Sequence, residues 1–342
     1  MNNSSNELDP IHAKINELIS FAGADPSTFE SDLAHQIIET AIKLVREHVD
    51  TGELKLMTRS LKEMRYAFSV FDKFPVSKRV AIFGSARTPE KHPDYIAAKT
   101  FAEAMAKEGW ACLTGGAEGI MQAGIEGAQK QASFGLSIRL PSEAPTQSLL
   151  HGDPKLIVFR YFFTRKLMFL SHANAIAAFP GGFGTMDELF EALTLMQTGK
   201  SNIIPIVLME GPDSNYWSEW LAYVKQQLFQ SGWTSAEDFR FFALFKDTQK
   251  AVDHILHFYR RYHSSRYVKD TFVIRMKTPL SDSQLAQLNE EFSILLAEGK
   301  FYLTDPLSDE EDHLNLPRLA FKHNHSHLGT LRALIDRIND LE

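Results

Sequence analysis

The chain has 342 residues and one cysteine, Cys112. A single thiol excludes an internal disulfide framework and a cysteine metal cluster, and it leads us to expect a reducing, cytoplasmic setting. Long apolar runs are missing as well. Ile203 to Met209 is among the longest, far short of the roughly 20 residues that a spanning helix needs. The opening Met1-Asn2-Asn3-Ser4-Ser5 is polar and carries no leader-like apolar stretch. Positive charge is in deficit, with 36 Lys and Arg against 43 Asp and Glu and a net charge of -7. General nucleic-acid binding is therefore not expected, since there is no basic excess to displace counterions. The G-x-G-x-x-G spacing of dinucleotide-binding loops is also absent. The apolar share is 44%, enough for a substantial buried core.

The N-terminal part, residues 1–75, reads as a helical extension. Ser27-Thr28-Phe29-Glu30 fits a capping box, and Phe29, Leu33, Ile37, Ala41 and Val45 then recur every fourth position on one helix face. Thr51-Gly52 reads as the end of that helix. A second helix is expected through Leu61, Met64, Phe68 and Phe71.

From Arg79 short apolar strands alternate with amphipathic helices. Val80 to Phe83, Trp110 to Thr114, Gly135 to Leu140, Ile157 to Phe159, Ala175 to Phe179 and Ile203 to Met209 read as strands, and Pro141 closes the third. Such alternation predicts an α/β fold, a Rossmann-like doubly wound parallel sheet over residues 76–262. Its ligand site is expected at the turns that follow the strands. Residues 266–342 read as a small α+β appendage. Within it the acidic run Asp309 to Asp312 is expected to be a solvated loop. The alternating His323, His325 and His327 are taken as polar surface, and no metal site is expected.

The most informative stretch runs from Ala175 to Glu188. A buried strand stops at Pro180, Gly181, Gly182 and Gly184 follow, and Thr185 opens a helix. Glycines let backbone N–H groups approach a phosphate, and a helix N-terminus favours its charge. Thr185 and Glu188 also fit a capping box, which competes with a catalytic reading of Glu188. Gly84-Ser85-Ala86-Arg87 and Gly115-Gly116-Ala117-Glu118-Gly119 follow two other strands. They are either tight turns or nucleotide loops. Arg165-Lys166, placed just before a helix, is either a solvated pair or a phosphate clamp. Phe159, Phe162, Phe163 and Phe169 are read as core.

Pro180-Gly181-Gly182-Phe183-Gly184-Thr185-Met186-Asp187-Glu188 resembles the P-G-G-x-G-T-x-x-E signature of the Lonely Guy family, and Arg165-Lys166 resembles its upstream R-K pair. Gly84-Ser85 and Gly115 to Met121 resemble its two remaining loops. The resemblance covers roughly residues 78 to 260 and departs at Ala117 and Gln122. It implies a nucleoside 5′-monophosphate phosphoribohydrolase that releases free base and ribose 5-phosphate from substrates such as AMP, without cofactor, as a homodimer or larger homo-oligomer. Arg165 and Glu188 would be catalytic. Gly84, Ser85, Gly115, Gly116, Lys166, Pro180, Gly181, Gly182, Gly184 and Thr185 would hold the nucleotide. The competing readings are a non-catalytic nucleotide or molybdenum-cofactor carrier on the same fold, and a pyridoxal phosphate enzyme using Lys166 or Lys200.

Overall fold

A computed structural model describes residues 8–76, 78–140 and 148–341. Pro141 lies outside the described residues. The chain divides into two compact units, one up to Tyr66 and one from Ala67 onward.

In the first unit α1 (Leu8–Phe21) packs on α2 (Phe29–Arg46), and α3 (Thr51–Lys73) begins. Thr28 caps α2 by accepting from Ser31 N–H, so the cap lies one residue later than the expected box. Thr51-Gly52 opens α3 and does not end α2, because the backbone has already turned after Arg46. The four-residue stripe of α2 exists as a helix face, but Phe29, Leu33, Ile37 and Val45 are exposed.

The second unit carries a seven-stranded sheet, β1 (Arg79–Phe83), β2 (Ala111–Thr114), β3 (Ser133–Ile138), β4 (Leu156–Phe159), β5 (Ala175–Ala178), β6 (Ile206–Met209) and β7 (Phe242–Phe245). The spatial order is β4-β3-β2-β1-β5-β6-β7, and every pairing is parallel. β2, β5 and β6 are buried at every position, as parallel strands covered on both faces must be. The covering helices are α4 (Pro93–Lys107), α5 (Ile120–Ala128), α6 (Phe162–His172), α7 (Phe183–Gln197), α8 (Tyr216–Tyr223) and α9 (Thr248–Phe258). Successive strands run outward from β1 on one side and from β5 on the other. The order therefore reverses between β1 and β5, and the crevice at the carboxyl ends of these two strands is where such sheets bind ligands. This is a Rossmann-like α/β fold. Phe159 and Phe169 are in its core, whereas Phe162 and Phe163 are about half exposed, at 56% and 54%.

A second, antiparallel sheet follows, from β8 (Tyr262–Val268), β9 (Thr271–Met276), β10 (Leu296–Thr304) and β11 (Arg318–His323), in the order β10-β11-β9-β8. α10 (Asp282–Glu291) and α11 (Leu328–Asp340) accompany it. Asn339 on α11 ties this layer to the first. Its Oδ1 accepts from the N–H groups of Arg261 and Tyr262, and its Nδ2 donates to the carbonyls of Phe258 and Ile335. All of its polar atoms are satisfied in a fully buried position, which makes the α9–β8 corner rigid.

Two expectations for this layer need correction. Glu310, inside the acidic run, is not solvated. Its side chain is 0% exposed and bonds Arg275 Nη2 at 2.7 Å and Arg318 Nε at 2.8 Å. Burial pushes its pKa up, but the two guanidinium groups outweigh that and hold it below the usual carboxylate value. His323 is buried, not surface. It bonds the Tyr267 hydroxyl at 2.6 Å and the Ser326 carbonyl at 3.1 Å.

Removing one member of a buried ion cluster leaves the others uncompensated. Glu310→Gln should therefore lower unfolding stability by about 3–5 kcal/mol, read from urea midpoints. Asp309→Asn, which breaks an exposed pair with Lys269, should change stability by less than about 1 kcal/mol.

Candidate active site

Three βα loops meet at the crevice. Ser85 N–H donates to the Pro180 carbonyl at 3.1 Å, and Ile120 N–H donates to the Ser85 carbonyl at 3.0 Å. The loop after β1 is thus bonded both to the glycine turn after β5 and to the start of α5. Gly119 makes this possible: its φ is +64°, and a Cβ there would collide with the backbone of Ser85 and Ala86. The Tyr216 hydroxyl fixes the glycine turn from the far side, donating to the Gly181 carbonyl at 2.5 Å.

The resulting cleft is about 780 Å³. Gly84, Ser85, Gly115, Arg165, Gly181, Gly182, Gly184, Thr185 and Glu188 all line it. Gly116, Pro180 and Lys166 do not line it. Gly116 adopts a φ of +69° and donates its N–H to Thr114 Oγ1, so it shapes the loop from behind. Pro180 contributes the carbonyl that holds Ser85. Sequence reasoning missed Tyr216 and Phe183 as lining residues. Tyr216 lies 35 residues beyond the turn it supports, and no local pattern signals that contact.

α7 begins at Phe183 with Gly182 as its cap, two residues before the expected start. Thr185 is therefore inside the first turn, and the Thr185–Glu188 capping box does not form. Met186 N–H already bonds the Gly182 carbonyl at 3.2 Å, whereas the N–H groups of Phe183 and Gly184 precede any intrahelical acceptor. Free donors at a helix N-terminus, on residues that line a cleft, make an anion site.

Released from capping, Glu188 is buried at 6% exposure, and its Oε2 has no hydrogen-bond partner. Burial raises its pKa to about 7, although Arg165 and Lys166 pull it down. Arg165 and Lys166 lie inside α6, not ahead of it. Arg165 Nε donates to the Leu136 carbonyl at 2.8 Å. Its Nη2 lies where a side chain on residue 115 would start: a Cβ on Gly115 would come within 2.7 Å of it. Arg165 is thereby clamped between β3 and the loop after β2. Burial lowers its pKa, and Glu188 opposes that shift. Lys166 turns the other way and bonds Asp187 at 2.7 Å and Glu191 at 2.9 Å. Burial works against its charge, but these two bonds prevail and raise its pKa.

The fold and cleft define a Rossmann-like domain with a glycine-rich loop facing the buried carboxylate of Glu188 and the guanidinium of Arg165. Residues 117–255 match the family model described as "possible lysine decarboxylase". Over that stretch, somewhat less than half of its length, the chain is similar to this family. No curated protein matches the chain. Solved structures with some likeness include a molybdenum cofactor binding protein from Rippkaea orientalis (19% identity, 52% of this chain and 95% of that chain, TM-score 0.38). A molybdenum cofactor carrier protein from Chlamydomonas reinhardtii gives 22% identity, 52% and 98% coverage and a TM-score of 0.35. DNA processing protein A from Helicobacter pylori gives 16%, 55%, 83% and 0.37. Likenesses this distant say nothing of what this chain binds. Among the described residues no helix is long and apolar enough to cross a membrane, and no group of three or more His, Cys, Asp or Glu is placed to hold a metal ion.

A carboxyl whose folded pKa exceeds its unfolded value is favoured by folding only while protonated. Glu188 should thus cost stability progressively from about pH 4.5 to about pH 7 and by a constant amount above that. Glu188→Gln should be more stable than wild type at pH 8, by up to about 3 kcal/mol, and equal to it near pH 4. Thermal melts of both proteins across this range measure the difference.

Proposed function

We propose that the cleft hydrolyses the N-glycosidic bond of nucleoside 5′-monophosphates to free base and ribose 5-phosphate. The observation that carries this reading is the buried, unpartnered carboxylate of Glu188 beside an anion-binding helix N-terminus. A passive phosphate site is weakened by a carboxylate, which repels the ligand. A site that must stabilise positive charge on the ribose is strengthened by one.

In the proposed reaction the 5′-phosphate sits on the N–H groups at the start of α7, with Thr185 and the loop residues Ser85, Gly181 and Gly182 around it. As the bond from C1′ to the base nitrogen lengthens, C1′ and the ring oxygen acquire oxocarbenium character. Ionised Glu188 stabilises that charge and takes a proton from the attacking water. The water oxygen bonds C1′, and the electron pair of the broken bond leaves with the base, which gains a proton. Arg165 offsets the repulsion between phosphate and carboxylate. Lys166 supports the same balance indirectly, by neutralising Asp187 at the rim of the cleft and Glu191 beyond it. Phe162, Phe163, Leu167 and Phe183 stand exposed on α6 and α7. A second copy of the chain, as the family resemblance implies, would cover them. A cytoplasmic location fits the soluble substrate.

The test is product analysis with AMP, GMP, IMP, CMP and UMP, following free base by chromatography. Wild type should release base from at least one of them. Glu188→Gln should bind the same nucleotide within about threefold and turn it over about 100-fold or more slowly. Binding by wild type without turnover of any nucleotide would replace this reading with the carrier. Because ionised Glu188 is the working form, kcat should rise with pH and level off above an inflection near pH 7. A profile flat from pH 5 to 9 would remove Glu188 from the chemistry.

A further inference from the structure

At the end of the parallel sheet opposite the cleft, before the first residues of β5 and β6, a groove of mixed polar and apolar lining runs between the segment joining α7 to β6 and strand β8. It consists of two adjoining cavities of about 400 and 440 Å³, which share Lys200, Ser201, Asn202, Ile203 and Ser265. None of the described residues lining either cavity is an Asp or a Glu. In a chain with a net charge of -7, this is a local reversal of sign. Lys200 and Arg266 are both exposed there, one on each wall.

A second layer of basic side chains lies behind one end. His263 lines the larger cavity. Its ring is 4.4 Å from that of His313, and its Nδ1 bonds Ser264 Oγ at 2.9 Å. Lys78 Nζ sits 4.0 Å above the ring of Tyr259, itself a lining residue, and Lys277 Nζ donates to the Tyr259 carbonyl. The ionisable groups that act on His263 are His313, Lys78, Lys277 and Arg275, all basic. Together with burial, which is the larger effect, they hold its pKa at about 4. Burial, then Lys277, bring Lys78 down to about 8. Arg275 is balanced by Glu310. Lys78 and Lys277 repel one another at this end, and an anion would relieve that repulsion.

We propose that this groove is a second anion site, which takes a small phosphorylated molecule. Its phosphate lies among Lys200, His263, Ser265 and Arg266, and its apolar part lies against Tyr259 and Tyr262. The cleft cannot be the same site. Lys78 precedes the first residue of β1 and Gly84 follows the last, and a strand of that length spans roughly 16 Å.

The test separates the two sites with the full-length chain. Gly182→Asp places a carboxylate in the phosphate loop of the cleft, where a Cβ meets nothing within 4 Å. On that background Lys200→Gln with Arg266→Gln removes the two exposed groove cations. Pyrophosphate, ribose 5-phosphate and AMP are titrated into both proteins by calorimetry. Gly182→Asp should still bind at least one of them, and the groove substitutions should weaken that binding tenfold or more without lowering the melting temperature. Binding of pyrophosphate identifies bare phosphate as sufficient. Binding of AMP or ribose 5-phosphate without pyrophosphate identifies a sugar phosphate. If Gly182→Asp binds none of the three, or if the groove substitutions leave its affinity unchanged, the proposal is overturned.

Discussion

Two backbone hydrogen bonds, from Ser85 to Pro180 and from Ile120 to Ser85, join three otherwise separate loops at the point where the strand order reverses. Each bond lies across units distant in sequence, so none of the three loops can shift alone. The catalytic candidates depend on this junction. Arg165 reaches the cleft only because Gly115 leaves room for its guanidinium. Glu188 faces the same space only because α7 starts at Phe183. A side chain at Gly119 would push the first loop away from α5 and open the junction, which explains the demand for glycine there better than any preference of the turn itself.

The charge arrangement follows from that geometry. The first three turns of α7 carry Asp187, Glu188 and Glu191, an unfavourable set for an anion held at the same helix N-terminus. Lys166 draws Asp187 and Glu191 outward. Asp187 and Glu188 both line the cleft, but Asp187 is paired with Lys166, so Glu188 is the unpaired acid there, opposed mainly by Arg165. Its raised pKa records how little else compensates it. A group held this way is costly for stability, and such costs concentrate where chemistry is done.

Much of the fold was legible in the sequence because parallel strands covered on both faces must be nearly all apolar, and Ala175 to Ala178 or Ile206 to Met209 can be little else. The glycine turn was legible for the same reason: its residues are fixed by backbone geometry, which local sequence records. What was not legible depended on distant partners. Glu310 read as solvated because its neighbours in sequence are acidic, while its real neighbours, Arg275 and Arg318, are 35 and 8 residues away. Thr185 and Glu188 matched a capping box in spacing, and only the two-residue earlier start of α7 showed that the carboxylate is not used as a cap. The α2 stripe has helical spacing, and spacing alone cannot tell whether a face is covered.

α7 connects the cleft to the groove. Its first residues line the cleft, and its last turn leads through Gly199 into Lys200 and the groove. A helix of 15 residues is roughly 22 Å long, so no direct electrostatic effect of consequence passes between the sites at physiological ionic strength. In the proposed readings the two ends would bind an anion by different means. The cleft would use backbone N–H groups and the positive helix end, which are fixed in place and tolerate a carboxylate beside them. The groove lies near the negative helix end, where backbone dipoles disfavour an anion, and so positive side chains must supply the attraction. That contrast accounts for the absence of acids from the groove and for their presence at the cleft.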